Sequence, residues 1–326
     1  MATKTSAFAK TPVLVPLAML CALLWGGAFP AIKIGYQVLA IGASDSARQI
    51  LFAGVRFTLA GILAWIIGSL LNRRPLIPRR GAWHKVFILC LAQTAVQYFF
   101  FYIGLAHTTG VRASILTGMA SFLSLLFTVW IYHSEPLTAR KVLGCLIGFG
   151  GVVLIETGGT GLTGGFHLLG DGMLVISTIC SALSSVFLKR FTKDEEPFTM
   201  TSWQFFFGGL MLTAAGSVLC RIQHGKVMLF AAAQESGQLG KGILVLLVLA
   251  GISAVAYSVW GVLLKHNPVS KVTVFNCLIP VFGTLLSLWL LRESASQPLW
   301  VILCSVLLVA VGTLLVQYRN QDAIDA

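Results

Sequence analysis

Ten apolar stretches, each close to the ~20 residues an α-helix needs to cross a hydrocarbon core, fill the chain from residue 12 to residue 318. They run 12–32, 50–71, 84–105, 113–133, 141–157, 170–189, 198–220, 242–264, 272–291 and 299–318. Short basic or glycine-rich connections separate them and leave no room for a sizeable soluble domain. Of the 326 residues, 57% are hydrophobic and 10% charged. A soluble domain carries about 25% charged residues, so the polar surface that water demands is missing. The expected fold class is all-α integral membrane.

The net charge of +12 has a topological explanation. No basic motif with interleaved aromatics points to nucleic acid. With the N-terminus in the cytoplasm, the 22 Lys and Arg that remain of 23 after setting Arg56 aside divide fifteen inside to seven outside. That is the direction of the positive-inside rule. The loop 72–85 alone contributes Arg73, Arg74, Arg79, Arg80 and Lys85. An even number of spans returns the C-terminus to the cytoplasm, so the expectation is a multi-pass protein of a cell inner (cytoplasmic) membrane with both termini cytoplasmic. Lys4 and Lys10 before the first apolar run have the outline of a signal peptide. The run is too long for one and lacks a small-x-small cleavage site, so it reads as an uncleaved first helix. Cys21, Cys90, Cys145, Cys180, Cys220, Cys277 and Cys304 are scattered singly, without metal-ligand or redox spacing, and read as small core hydrophobes.

The stretch "GGTGLTGG" at 158–165 is the only strong internal punctuation. Five spans precede it and five follow, and an odd number per half forces the second half to be inverted. The expectation is therefore ten transmembrane helices as two inverted five-helix repeats, a signature of secondary transporters with a site at the repeat interface. The segments are a tail 1–11, a first repeat 12–157, a linker 158–169, a second repeat 170–318 and a tail 319–326. A faint echo aligns Glu135 with Glu293, Tyr102 with Trp260, and Val111 with Val269.

Several segments carry a family resemblance. "LLWGGAFPAIK" (23–33), Arg56 in "GVRFTLAGIL" (54–63) and "CLIPVFGTLLSLWLLRE" (277–293) resemble the first, second and ninth helices of EamA-type ten-helix carriers. These form a branch of the drug/metabolite transporter superfamily. The likeness covers the whole ten-span body. Phe122 stands where the first half usually has a helix proline, Ser134 and Arg292 replace the glycine before each glutamate, and Ser185 stands near a usual tryptophan. The resemblance implies efflux of amino-acid-like or drug-like compounds along a path lined by helices one to four and six to nine. Helices five and ten would then face lipid or a second copy in a homodimer.

Polar and aromatic residues inside the apolar stretches mark a candidate substrate site. Arg56 lies inside the second stretch, where an ionised side chain is tolerated only toward the bundle interior or a water-filled cavity. It reads either as the holder of a substrate carboxylate or as a structural tie to backbone carbonyls, with snorkelling to the surface as a variant of the second. Gln93 and Gln97 are four apart and share a helix face, with Tyr98 beside them. Ser253, Tyr257 and Trp260 follow i, i+4, i+7 spacing. Asn276 precedes Pro280 by one turn, where the proline frees a carbonyl. Trp25 and Phe29 are an aromatic pair one turn apart. The substrate-binding candidates are therefore Trp25, Phe29, Arg56, Gln93, Gln97, Tyr257, Trp260 and Asn276, walls suited to a medium-sized amphipathic metabolite. The competing reading for the amides and serines is interhelical hydrogen bonding.

No aspartate or glutamate falls at mid-membrane depth: Glu135, Glu156, Asp171 and Glu293 lie at span ends. There is no Walker-type loop and no complete catalytic constellation, so neither a cofactor nor a metal is expected. The function read from the sequence is a secondary transporter of a small organic metabolite working by alternating access. Its partners are that substrate and the lipid bilayer. The alternative is a polytopic membrane enzyme acting on lipid-linked substrates, which the short loops, poor in His, Asp and Glu, disfavour.

Overall fold

The protein is represented by a computed structural model, which describes residues 8, 10–42, 44–107, 116–131, 133, 136–157, 167–227, 229–291 and 298–317. Among them every regular element is helical. The principal helices are α1 (Thr11–Val38), α2 (Ser46–Asn72), α3 (Arg80–Leu105), α4 (Leu116–Trp130), α5 (Ala139–Thr157), α6 (Leu168–Phe191), α7 (Pro197–His224), α8 (Leu239–His266), α9 (269–291) and α10 (Leu299–Gln317). Six of these, α1, α2, α3, α6, α7 and α8, are long and apolar enough to cross a membrane. Shorter apolar helices lie within α4, α9 and α10. Residues 158–166 of the linker 158–169, Val111, Ser134, Glu135, Arg292, Glu293 and the side chain of Glu156 lie outside the described residues.

Helix ends are set by caps rather than by where apolar sequence stops, so several helices outrun their hydropathy windows. α2 begins four residues before its apolar stretch because the Asp45 carboxylate accepts the Arg48 N–H at 3.0 Å. α7 begins at Pro197, with the Glu196 carboxylate accepting the Thr199 N–H at 2.8 Å. It ends at Gly225, whose φ of 71° favours glycine. α1 is 28 residues long, about 42 Å at 1.5 Å per residue. That exceeds a ~30 Å core and requires tilt or protrusion.

Among the described residues three helices depart from α geometry: α3, α9 and α6, which opens on a π turn at Leu168–Gly172. In α3 a π turn spans Cys90–Ala95; such wide turns insert an extra residue and recur at functional sites. In α9 a 3-10 segment, Val274–Cys277, separates Val269–Thr273 from Leu278–Leu291. Pro280 is the cause, since it has no N–H to donate to the Asn276 carbonyl one turn back.

The tightest packing is between α2 and α7, and small residues permit it. A Cβ on Gly54 would lie 2.3 Å from the Thr213 nitrogen, and one on Gly209 2.3 Å from the Thr58 nitrogen. Likewise Gly61 abuts the backbone of Phe206, and Gly216 that of Leu51. The contacts are antiparallel and reciprocal, and the two segments read "GVRFTLAG" and "GLMLTAAG". Thr58 and Thr213 each donate a hydroxyl hydrogen bond at 2.8 Å to the carbonyl four residues back, Gly54 and Gly209. α5 and α10 repeat the arrangement, with Gly144 against Gly312 and Gly151 against Ser305. Around these pairs α1 packs on α8 and α9, while α6 packs on α3 and α4.

Candidate functional site

Five helices converge on a buried aromatic centre. From α1, Trp25 meets Tyr257 and Trp260 of α8 edge-on, both at 4.9 Å between centroids. Phe205 of α7 stands edge-on to Tyr257 at 4.9 Å and lies 5.1 Å from Phe57 of α2. Phe57 in turn lies 4.3 Å from Tyr98 of α3. The Tyr98 and Tyr257 hydroxyls share a hydrogen bond of 2.6 Å, which closes the ring of contacts. Trp25 and Ser253 sit at the midpoints of 28-residue helices, so this centre lies deep in the bundle.

Arg56 borders the centre. It is 3% exposed, and its Nη2 donates to Ser253 Oγ at 2.9 Å. Its guanidinium carbon stands 5.1 Å from the Phe57 ring centroid, a cation–π contact. The Tyr36 and Tyr102 side chains lie within electrostatic reach of it. Among the described residues no carboxylate pairs with Arg56, and its Nε has no hydrogen-bond partner. Because α2 starts at Ser46, Arg56 is the eleventh of 27 residues. It is close to mid-helix, deeper than the hydropathy window alone suggests.

More polar atoms nearby are left open. Trp25 Nε1 and Gln97 Oε1 are buried and without partners among the described residues, while the Tyr36 hydroxyl engages that of Tyr102. Leaving such a group unpaired costs about 1–3 kcal/mol, so the open Trp25 Nε1 in the aromatic centre and the open Arg56 Nε at its border are positions that a ligand could complete. Tyr36 also lines an open cleft of about 370 Å³ with Lys33, Gln37, Ala40, Ile41 and Gly42. The cleft lies at the C-terminal end of α1.

The predicted site residues divide. Trp25, Arg56, Tyr257 and Trp260 belong to the centre just described. Gln93 is 3% exposed and its carbonyl oxygen accepts from Gln204 Nε2 at 2.8 Å, while Gln204 accepts from Thr94 at 2.9 Å. It acts there as interhelical hydrogen bonding across α3 and α7. The π turn also breaks its simple i, i+4 register with Gln97. Phe29 is 41% exposed and packs beside Gly283 of α9. Asn276 is half-buried in the 3-10 segment of α9, apart from the aromatic ring. Tyr36, Phe57 and Phe205 escaped the sequence reading. Tyr36 follows Trp25 by eleven residues, about three full turns, so a search for longer helical spacings finds it.

The sequence profile of the EamA-like transporter family matches residues 13–157 and 168–318. An uncharacterized transporter of Archaeoglobus fulgidus is 26% identical over 288 residues, 87% of this chain and 90% of its own. The uncharacterized transporter YvbV of Bacillus subtilis is 24% identical over 314 residues, 96% and 93% of the two chains. The chloroplastic WAT1-related protein At3g02690 of Arabidopsis thaliana is 24% identical over 88% of this chain and 66% of its own. One protein crystal structure superposes with a TM-score of 0.71 over 92% of this chain and 95% of that one. At 18% identity the likeness is one of fold.

Proposed function

The chain belongs to the EamA-like transporter family, and from that membership we propose that it is a secondary carrier exporting a small organic metabolite by alternating access. It is a multi-pass membrane transporter; the substrate, the direction and the mechanism are the proposal. The observation that carries it is the buried guanidinium of Arg56, which has no carboxylate partner among the described residues and an open Nε, beside an aromatic centre where Trp25 Nε1 is also open. A cation so deep in a membrane bundle is costly without an anion, and the arginine fork suits a carboxylate. An amino-acid-like substrate would set its carboxylate on Arg56 and its apolar body against Trp25 and Tyr257.

The proposed architecture is two inverted five-helix halves, 12–157 and 170–318, joined by the linker 158–169. Its support is reciprocity. Exchanging each of α1 to α5 for the helix five places on carries the α2–α7 and α5–α10 pairings onto themselves. The same exchange carries α1–α8 onto α3–α6 and α1–α9 onto α4–α6, pairings that all occur. The glycine contacts of α2 and α7 obey it residue by residue. The proposed orientation, with both termini cytoplasmic, rests on the basic loop 72–85. A single cysteine at Arg79 is expected to label from inside only, and labelling from outside intact cells overturns it.

The experiment is counterflow in proteoliposomes with pairs of amino acids and their uncharged amides. Saturable counterflow is expected for a carrier; product formation instead of flux favours the enzyme alternative. In Arg56→Gln, loss of a charged hydrogen bond worth about 1.5–3 kcal/mol should weaken the carboxylate substrate about 10–100-fold and spare the amide. Equal loss for both members of a pair reduces Arg56 to a structural tie.

A further inference from the structure

The connection between α2 and α3 carries Arg73, Arg74 and Arg79, and α3 opens on Arg80, all exposed. Among the described residues none of the four has an acidic partner; the nearby Asp194 carboxylate is held by Lys85 at 3.2 Å. The loop is pinned rather than loosely tethered. Trp65 Nε1 and Trp203 Nε1 both donate to the Leu76 carbonyl, at 3.0 and 2.8 Å, and the Leu76 N–H donates to Ser69 Oγ at 3.2 Å. Leu76 is 2% exposed. The backbone that carries the four arginines is therefore anchored at Leu76, at one end of the bundle.

Below them a groove of about 260 Å³ runs between α3 and α7. Trp83, Val86, Phe87, Cys90 and Phe207 line it, and every one of them is apolar. Trp83 stands edge-on to Trp203 and Phe207 at 5.2 and 6.2 Å, so aromatic rings form its upper wall. Residues 83, 87 and 90 lie on one face of α3, continuing from Arg80. From Arg80 to Cys90 is ten residues, about 15 Å along the helix. That is half of the ~30 Å hydrocarbon thickness, the depth of one leaflet.

Charge at the mouth and an apolar trough one leaflet deep match the two ends of a phospholipid. We infer that the α3–α7 groove binds one anionic phospholipid, its headgroup among Arg73, Arg74, Arg79 and Arg80 and an acyl chain against Trp83, Phe87 and Phe207. Clusters of basic residues at a membrane helix end attract anionic lipid, and the groove turns that general attraction into a site. A second copy of the chain fits poorly here, because two-fold contact would set four arginines against four. An acidic soluble partner leaves the apolar trough unfilled. The site lies apart from the aromatic centre and does not depend on what is transported.

The test is native mass spectrometry of the full-length protein in detergent, titrated with palmitoyl-oleoyl phosphatidylglycerol or phosphatidylcholine. One tightly retained phosphatidylglycerol is expected, in preference to phosphatidylcholine. At about fivefold per arginine, Arg79→Gln with Arg80→Gln should weaken it about 25-fold, and Arg73→Gln with Arg74→Gln gives an independent pair on the same loop. Phe87→Ser, at a 57% exposed wall position, should weaken both lipids and narrow the gap between them little. Arg221→Gln with Lys226→Gln removes equal charge from exposed sites after α7's midpoint and should change nothing. Absence of a headgroup preference, unchanged affinity in both loop pairs, or an equal loss in the Arg221 and Lys226 control overturns the site.

Discussion

Asp45 joins three groups through one carboxylate, and its chemistry has a pH signature. It caps α2 through the Arg48 N–H, pairs with the Arg48 guanidinium, and meets His224 Nε2 of α7 at 3.2 Å. Partial burial alone would raise its pKa, but the Arg48 N–H, the guanidinium and His224 outweigh that and hold it below the usual carboxylate value. A depressed folded-state pKa contributes stability that is present above the unfolded value near ~4 and lost as pH falls through the folded value. Asp45→Ala is therefore expected to lower stability by about 1 kcal/mol at neutral pH, the usual cost of a lost N-cap. The gap to wild type should narrow on acidification below about pH 4. Thermal melts in detergent from pH 7 down to 3 read this directly, and a pH-independent gap would refute the ionic contribution.

The element that depends most on small residues is the α2–α7 pair. Gly54→Ala places a methyl 2.3 Å from the backbone nitrogen of Thr213, where no flexible side chain can give way. Overpacking costs about 1–3 kcal/mol and sometimes more, so Gly54→Ala and Gly209→Ala should each lower the melting temperature clearly. Gly251→Ala in α8, where a Cβ would meet open space, should be neutral or stabilising because alanine is the better helix former. Equal melting temperatures for all three variants would remove the crossing as the tight point of the fold. The helical, membrane-spanning character was legible from hydropathy because transfer energy acts on runs of residues. The helix ends were not, since a single carboxylate at Asp45 moves the start of α2 to Ser46. The echo between 54–61 and 209–216 stood in the sequence but carries only three small residues and a threonine in register. Its meaning emerges once the two segments touch. Of the candidate site, the i, i+4, i+7 set of α8 was readable, whereas Tyr36, Phe57 and Phe205 are joined by tertiary convergence that no one helix encodes.

For the whole molecule, the position of its acids bears on how transport is driven. Among the described residues the carboxylates are Asp45, Asp171, Asp194, Glu195, Glu196 and Glu235. Each falls in a connection, a short loop helix or a first helical turn. Asp171 is buried at 4% exposure, but in the π turn that opens α6, where it accepts the His167 N–H at 2.9 Å. The central groups are instead a guanidinium, phenols, amides and a serine. The guanidinium of Arg56 has donors only and no acceptor, so it can exchange one substrate carboxylate for another but offers a moving proton no place to land. The expectation is transport down the substrate's own gradient or by exchange, with little response to an imposed pH gradient. The measurement is substrate accumulation in proteoliposomes with and without a pH difference, at zero membrane potential. Gradient-independent counterflow supports exchange. Uphill, proton-driven accumulation that disappears in Asp171→Asn or Glu156→Gln would make a helix-end carboxylate the coupling group and overturn the expectation, because a proton would then enter at the rim of the bundle rather than at its centre.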